Sequence, residues 1–109
     1  MHELAVSQSV LDAVLERTGD ARVTVVRLDV GRLSGVVPDA LRFCFELVAE
    51  GTPLEGADLR IGEPPGRAHC SGCGADFGID DPILLCPCGS ADVSVTAGRD
   101  LRVRSVEVA

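Results

Sequence analysis

Between Ala68 and about Asp92 the chain carries four of its five cysteines, and the only large apolar residues there are Phe77, Ile79, Ile83, Leu84 and Leu85. A lobe so poor in apolar side chains cannot fold on burial alone and needs a cross-link or a metal to hold it. The cysteines fall as Cys70-Ser71-Gly72-Cys73 and Cys86-Pro87-Cys88, twelve residues apart, each pair followed at once by a glycine, Gly74 and Gly89. A knuckle of this kind turns backbone N–H groups toward the sulfurs. Two facing knuckles make a tetrahedral four-thiolate cage, for which zinc is the favoured ion. Structural zinc supplies about 10–16 kcal/mol of apparent binding free energy to such a lobe. A dithiol redox role for Cys86 and Cys88 is the competing reading. The second pair has one intervening residue where the usual knuckle has two, which tightens the ring. If Cys86 falls short, His69, immediately before Cys70, is the nearest substitute ligand.

The rest of the chain has the opposite character. From Glu3 to Arg17, apolar residues at Leu4, Val10, Leu11, Val14 and Leu15 follow a helical period that Thr18-Gly19-Asp20 ends. Arg22 to Val30 is rich in β-branched residues and bounded by Gly31, so it reads as a strand, with Val25 and Val26 suggesting burial on both faces at its start. Pro38 fixes the start of a second helix, since proline suits the first helical position, and Asp39 places a negative charge in the first turn. Leu41, Phe43, Cys44, Phe45, Leu47 and Val48 give that helix a wide apolar stripe, and Gly51 stops it. Further strands are expected at about Ala57–Gly62 and over Gly98–Val108.

Together these predict an α+β fold: two helices packed on a three-stranded sheet, with a small zinc-binding lobe inserted between the second and third strands. The corresponding division is an α+β domain of residues 1–63 plus 98–109 and a cysteine-rich lobe of residues 64–97, with Glu63-Pro64-Pro65-Gly66 as a stiff hinge. Such a hinge would permit exchange of the lobe between chains, so a homodimer is one open state.

Charge and residue usage remove several function classes. With 17 acidic against 10 basic residues, a net charge of −7, the chain lacks the basic stripe of a nucleic-acid binder. Every basic residue is arginine, which excludes a Schiff-base or P-loop lysine. No segment is long and apolar enough to span a bilayer, and the start lacks the basic and apolar runs of a secretory signal, so the reading is a cytoplasmic protein with no membrane partner. Cysteine density in a reducing compartment points to metal or redox chemistry. Cys44, mid-helix between two phenylalanines, reads as a small buried apolar side chain. With only His2 and His69 present, a Ser-His-Asp or Cys-His arrangement is starved of bases, and Asp80, Asp81 and Glu55 read as solvated surface. The expectation is a protein that is not an enzyme.

The stretches MHELAVSQSV at the start, VGRLSGVVPDALRFCFELVAEGTPLEGADL in the middle, the CxxC and CPC-GS cysteine pairs, and GRDLRVRSVEV at the end resemble the HypA/HybF family of nickel-insertion proteins, in order and over nearly the full length. The resemblance implies a non-enzymatic metallochaperone of nickel-iron hydrogenase maturation, or of another nickel enzyme. It implies Ni(II) bound at Met1, His2 and Glu3, zinc bound at Cys70, Cys73, Cys86 and Cys88, and two partners: a HypB-type GTPase and the hydrogenase large subunit precursor. The family's usual second pair is Cys-Pro-x-Cys, so this chain departs by one residue. An interaction module built on a zinc ribbon without metal transfer, and a small dithiol redox protein, are the alternatives.

Chemistry gives the first residues a meaning of their own. An α-amine, the amide nitrogen of residue 2 and the imidazole of His2 bind one ion through two fused chelate rings, and a deprotonated amide suits Ni(II) or Cu(II) and suits Zn(II) poorly. Amines titrate near about 7.7–8.0 and imidazoles near about 6.5, so affinity should climb between about pH 6 and 8 and acid should release the metal. A site on a chain end, with few ligands, holds its ion less tightly than a closed cage, which suits a carrier.

Overall fold

The computed structural model describes residues 2–109; Met1 lies outside the described residues. The elements run α1 (Glu3–Thr18), β1 (Val23–Val30), α2 (Pro38–Ala49), β2 (Asp58–Gly62), β3 (Gly66–Cys70), β4 (Asp76–Ile79), β5 (Val93–Ala97) and β6 (Leu101–Val108). Two three-stranded sheets result, ordered β2-β1-β6 and β4-β3-β5, and they share no strand. The fold is therefore α+β, with the second sheet lying in sequence between β2 and β6.

In α1, Val10, Leu11 and Val14 turn inward, and Gly19 at φ +58 closes the helix with its N–H on the Leu15 carbonyl at 2.8 Å. A left-handed φ is the conformation for which glycine carries no Cβ penalty. Val37, extended as a residue before proline must be, precedes Pro38 at the head of α2, from which Leu41, Phe45 and Ala49 face the core. The parallel β1–β2 pair, joined through α2, and the antiparallel β1–β6 pair complete the sheet. Val26, Leu28 and Val30 of β1 meet the helices in one apolar cluster with Leu54 and Leu59.

Two expectations change. Val25 is only half-buried, because the face of β1 away from the core carries Arg27 and Asp29, paired with Glu107 at 2.6 Å and Arg104 at 3.6 Å. The apolar stripe of α2 is narrower than its sequence: Phe43 and Leu47 are 64% and 50% exposed, and Cys44 is half-buried, because α2 offers only its Leu41–Phe45–Ala49 line to the sheet.

The junction between the sheets is close-packed. After β1, Arg32 N–H binds the Pro64 carbonyl at 3.1 Å and Leu33 N–H binds the Gly98 carbonyl at 2.8 Å, so one loop holds both connecting segments. A Cβ on Gly98, whose φ is +99, would stand 2.6 Å from Gly66 Cα, and one on Gly66 would stand 2.5 Å from Leu33 Cδ1. Only glycine fits where these backbones cross.

Candidate metal centres

β3 delivers Cys70 to the end of the lobe sheet, paired with Val93 of β5 and fully buried. The chain then turns tightly. Gly74 N–H closes on the Cys70 carbonyl at 2.8 Å and Cys70 N–H on the Ala75 carbonyl at 2.9 Å. The second knuckle repeats the device with one residue fewer: Gly89 N–H closes on the Cys86 carbonyl at 2.8 Å and Cys86 N–H on the Ser90 carbonyl at 2.9 Å. Gly74 and Gly89 stand at φ +79 and +94 with open space where a Cβ would point, so glycine is required there by conformation and not by crowding. The residue missing from Cys86-Pro87-Cys88 is taken up inside this turn. Ser71 N–H to the Asp92 carbonyl, 2.9 Å, ties the two knuckles together.

All four sulfurs lie within 4.8 Å of one another, with Cys70 Sγ 3.8 Å from Cys88 Sγ and Cys73 Sγ 3.6 Å from Cys86 Sγ. A tetrahedral ion with Zn–S bonds of about 2.3 Å sets its sulfurs about 3.8 Å apart. The donor set and its spacing fit a structural zinc site. Cys86 reaches the cluster, while His69 turns its Nδ1 to Asp76 Oδ1 at 2.8 Å.

Crowding four thiols splits their acidities. The Cys73 N–H aimed at the Cys70 sulfur outweighs burial and lowers that thiol to about 6. Cys86 receives the Cys88 N–H, which pulls it down, but burial and contact with the thiols of Cys88, Cys73 and Cys70 prevail and push it up to about 12. A second thiolate beside the first is opposed by like charge in a desolvated site, and a divalent cation removes that opposition.

At the other candidate site, His2 is exposed and extended ahead of α1, its carbonyl accepting Val6 N–H at 3.0 Å. Glu3 opens the helix and turns Oε2 to the Val37 N–H at 3.3 Å, so its carboxylate caps the start of α2. One turn on, Ser7 is fully buried with its hydroxyl donating to the Leu41 carbonyl at 3.3 Å, which fixes α1 against α2. His2 thus stands where two helices begin, beside Leu4 and Val37, which are 54% and 56% exposed. The expected nickel ligand Met1 is outside the described residues, and among those described the four cysteines form the only grouping of three or more His, Cys, Asp or Glu ligand atoms. Sequence reading did not single out Ser7, although its spacing to Val10, Leu11 and Val14 is helical. It could not find Val37, whose contact with Glu3 is an amide.

The acidic residues read as surface have local tasks. Asp81 Oδ1 accepts Ile83 N–H at 2.9 Å, Glu55 Oε1 accepts Gly51 N–H at 2.9 Å, and Asp80 faces Arg32 at 3.8 Å.

Residues 1–108 match the family model described as "Hydrogenase/urease nickel incorporation, metallochaperone, hypA". Among curated relatives, the chain is 41% identical over 108 residues to the hydrogenase maturation factor HypA of Nostoc sp., covering 99% of this chain and 96% of that one. It is 45% identical over 109 residues to the HypA of Geobacter metallireducens, at 99% coverage of both. It is 49% identical over 112 residues to that of Streptomyces avermitilis, covering 97% and 86%. The fold matches the solution structure of the Ni metallochaperone HypA from Helicobacter pylori with a TM-score of 0.72 and 24% identity, over 99% of this chain and 97% of the other.

Proposed function

Because the chain belongs to the HypA family, the metallochaperones of nickel incorporation into hydrogenase and urease, we propose that it carries Ni(II) to a nickel enzyme under maturation, nickel-iron hydrogenase foremost. The cargo binds at the chain start: the α-amine of Met1, the amide nitrogen and imidazole of His2, and Glu3 when its carboxylate leaves Val37. Cys70, Cys73, Cys86 and Cys88 hold a resident zinc that orders the lobe and takes no part in transfer. The observation that carries this reading is the family match beginning at residue 1 together with an exposed histidine in second place.

The working division is residues 1–63 plus 98–109 for nickel and residues 64–97 for zinc. A HypB-type GTPase and the hydrogenase large subunit precursor are the proposed partners. No described helix is long and apolar enough to cross a membrane, and a thiolate-rich site of this kind suits the reducing cytoplasm, where we place the protein. Its role is carriage, with no bond made or broken in a substrate.

The test is calorimetric titration of the zinc-loaded protein with Ni(II). His2→Ala, and separately one extra residue ahead of Met1, should each abolish stoichiometric nickel binding while zinc content stays constant. Unchanged nickel stoichiometry in either variant would place the carrier site elsewhere. Thiols of the loaded protein should resist oxidation until a chelator is added; rapid oxidation of the loaded lobe would support the dithiol redox reading instead.

A further inference from the structure

β6 is the edge strand of the first sheet: one side is spent on β1, and among the described residues no strand lies against the other. Beside that edge a groove of about 460 Å3 opens between α1 and β6, lined by Ala13, Arg17 and Thr18 from the helix and Val103, Ser105 and Val106 from the strand. Leu101, Val103 and Val106 are left only partly covered. An eight-residue edge with half-covered apolar side chains is a template for another strand unless something blocks it.

What β6 carries chooses the occupant. Read antiparallel against itself, the strand Leu101-Arg102-Val103-Arg104-Ser105-Val106-Glu107-Val108 sets Leu101 opposite a second copy's Val108, Arg102 opposite Glu107, Val103 opposite Val106 and Arg104 opposite Ser105. Apolar residues meet apolar ones and the exposed charges are opposite in sign, the cross-strand pairings that stabilise sheets. A two-residue slip in one direction sets Val103 against Arg104, and in the other sets Ser105 against Val106.

Strand geometry alone would forbid this, since residues three apart point to opposite faces. The irregularity in the β1–β6 register at Arg27/Leu28, which passes from Ser105 to Val103 and leaves Arg104 without a partner, brings Val103 and Val106 to the same, helix-side face. That bulge makes the self-pairing consistent. Arg102, 74% exposed and only 4.0 Å from Asp29, is free to take up a new carboxylate.

We propose that β6 is the interface between two copies of this chain, pairing antiparallel about a two-fold axis between Arg104 and Ser105. The two sheets join into one of six strands ordered β2-β1-β6-β6-β1-β2, and both pairs of helices lie on the same face, where the two grooves meet over the centre. A self-complementary patch repeated on both partners is the form a two-fold interface takes.

Sedimentation of the full, zinc-loaded chain over a concentration series should show a monomer–dimer equilibrium. Arg102→Glu, which opposes like charges across the interface, should raise the dimer Kd by at least about tenfold with zinc content and helix signal unchanged. A register test does not depend on charge. In a Cys44→Ser background, chains carrying Arg102→Cys and chains carrying Glu107→Cys are mixed with oxidised glutathione. The mixture should yield a disulfide-linked heterodimer in high proportion, and neither chain alone should cross-link with itself at that position. A monomer at every concentration overturns the proposal. So does a dimer that ignores Arg102→Glu or fails to cross-link in the mixture, the outcomes expected if chains associate by exchanging their lobes.

Discussion

The two halves of this molecule are held together by different physics. In the helix-bearing half, Val14, Val26, Leu28, Leu41 and Leu54 are at most 2% exposed and form one continuous core. In the lobe the buried apolar side chains are Ala68, Ile79 and two of the four clustered cysteines, while Ile83 and Leu85 stand 70% and 54% exposed. Excluding water stabilises the first half; the second has too little to exclude and depends on what its sulfurs hold. One short chain can therefore keep an ion as structure and leave its other end free to load and unload cargo.

The most severe way to break the contrast is to remove the zinc. Cys70→Ser, or chelation of the native protein, should forfeit most of the about 10–16 kcal/mol that such an ion contributes. Hydrogen exchange should show β3, β4 and β5 losing protection while α1 and β1 keep theirs. Loss of protection throughout the chain would mean that the halves fold as one unit.

The mirror experiment is Leu41→Ala. Leu41 is fully buried between α1, α2 and the sheet, and its truncation should cost about 2–5 kcal/mol. Denaturant melts followed by helix signal should shift, and zinc retained per chain should not. Zinc lost in step with the helices would refute the separation.

Acidity sharpens the comparison on the lobe side. Without metal, the Cys86 thiol keeps its proton up to about pH 12, whereas Cys70 is ionised above about 6. Near neutrality, zinc must therefore displace at least the Cys86 proton, and falling pH favours the protonated, metal-free lobe. Zinc affinity measured against a competing chelator should rise about tenfold per pH unit between pH 6 and 8, about 1.4 kcal/mol for each displaced proton. A flat profile would mean that the thiols are already ionised before the metal arrives.

How much of this was readable beforehand follows the same divide. Pro38 and Asp39 marked the start of α2, the β-branched run marked β1, and the two cysteine pairs marked the lobe, because each signal is local and has its own mechanism. The three lobe strands were not legible: they are short, they include Gly66 and Gly78, and pairing rather than periodicity defines them. Phe43 and Leu47 misled because helical spacing counts apolar residues without saying which line of them meets a sheet. The bulge at Arg104 and the contact of Glu3 with a residue 34 positions away depend on register and packing that no local pattern encodes.

The smallest expected effect falls on Glu3, where the helix-bearing half meets the nickel chemistry. Its carboxylate accepts the Val37 N–H at the start of α2, a place where a negative charge is favoured by the exposed amides and the helix dipole. Glu3→Gln keeps an acceptor of the same length and removes the charge, so stability should fall by only about 0.3–1 kcal/mol, with zinc content unchanged. If the carboxylate serves only this cap, nickel affinity in the zinc-loaded variant should stay within about twofold of the native chain. If it moves onto nickel when the ion arrives, affinity should drop by more than about tenfold and the cap should open in the native chain alone, seen as faster exchange of the Val37 amide upon loading. Val37 exchange that nickel leaves unchanged, with affinity also unchanged in Glu3→Gln, would remove Glu3 from the carrier site and leave the ion to the first two residues.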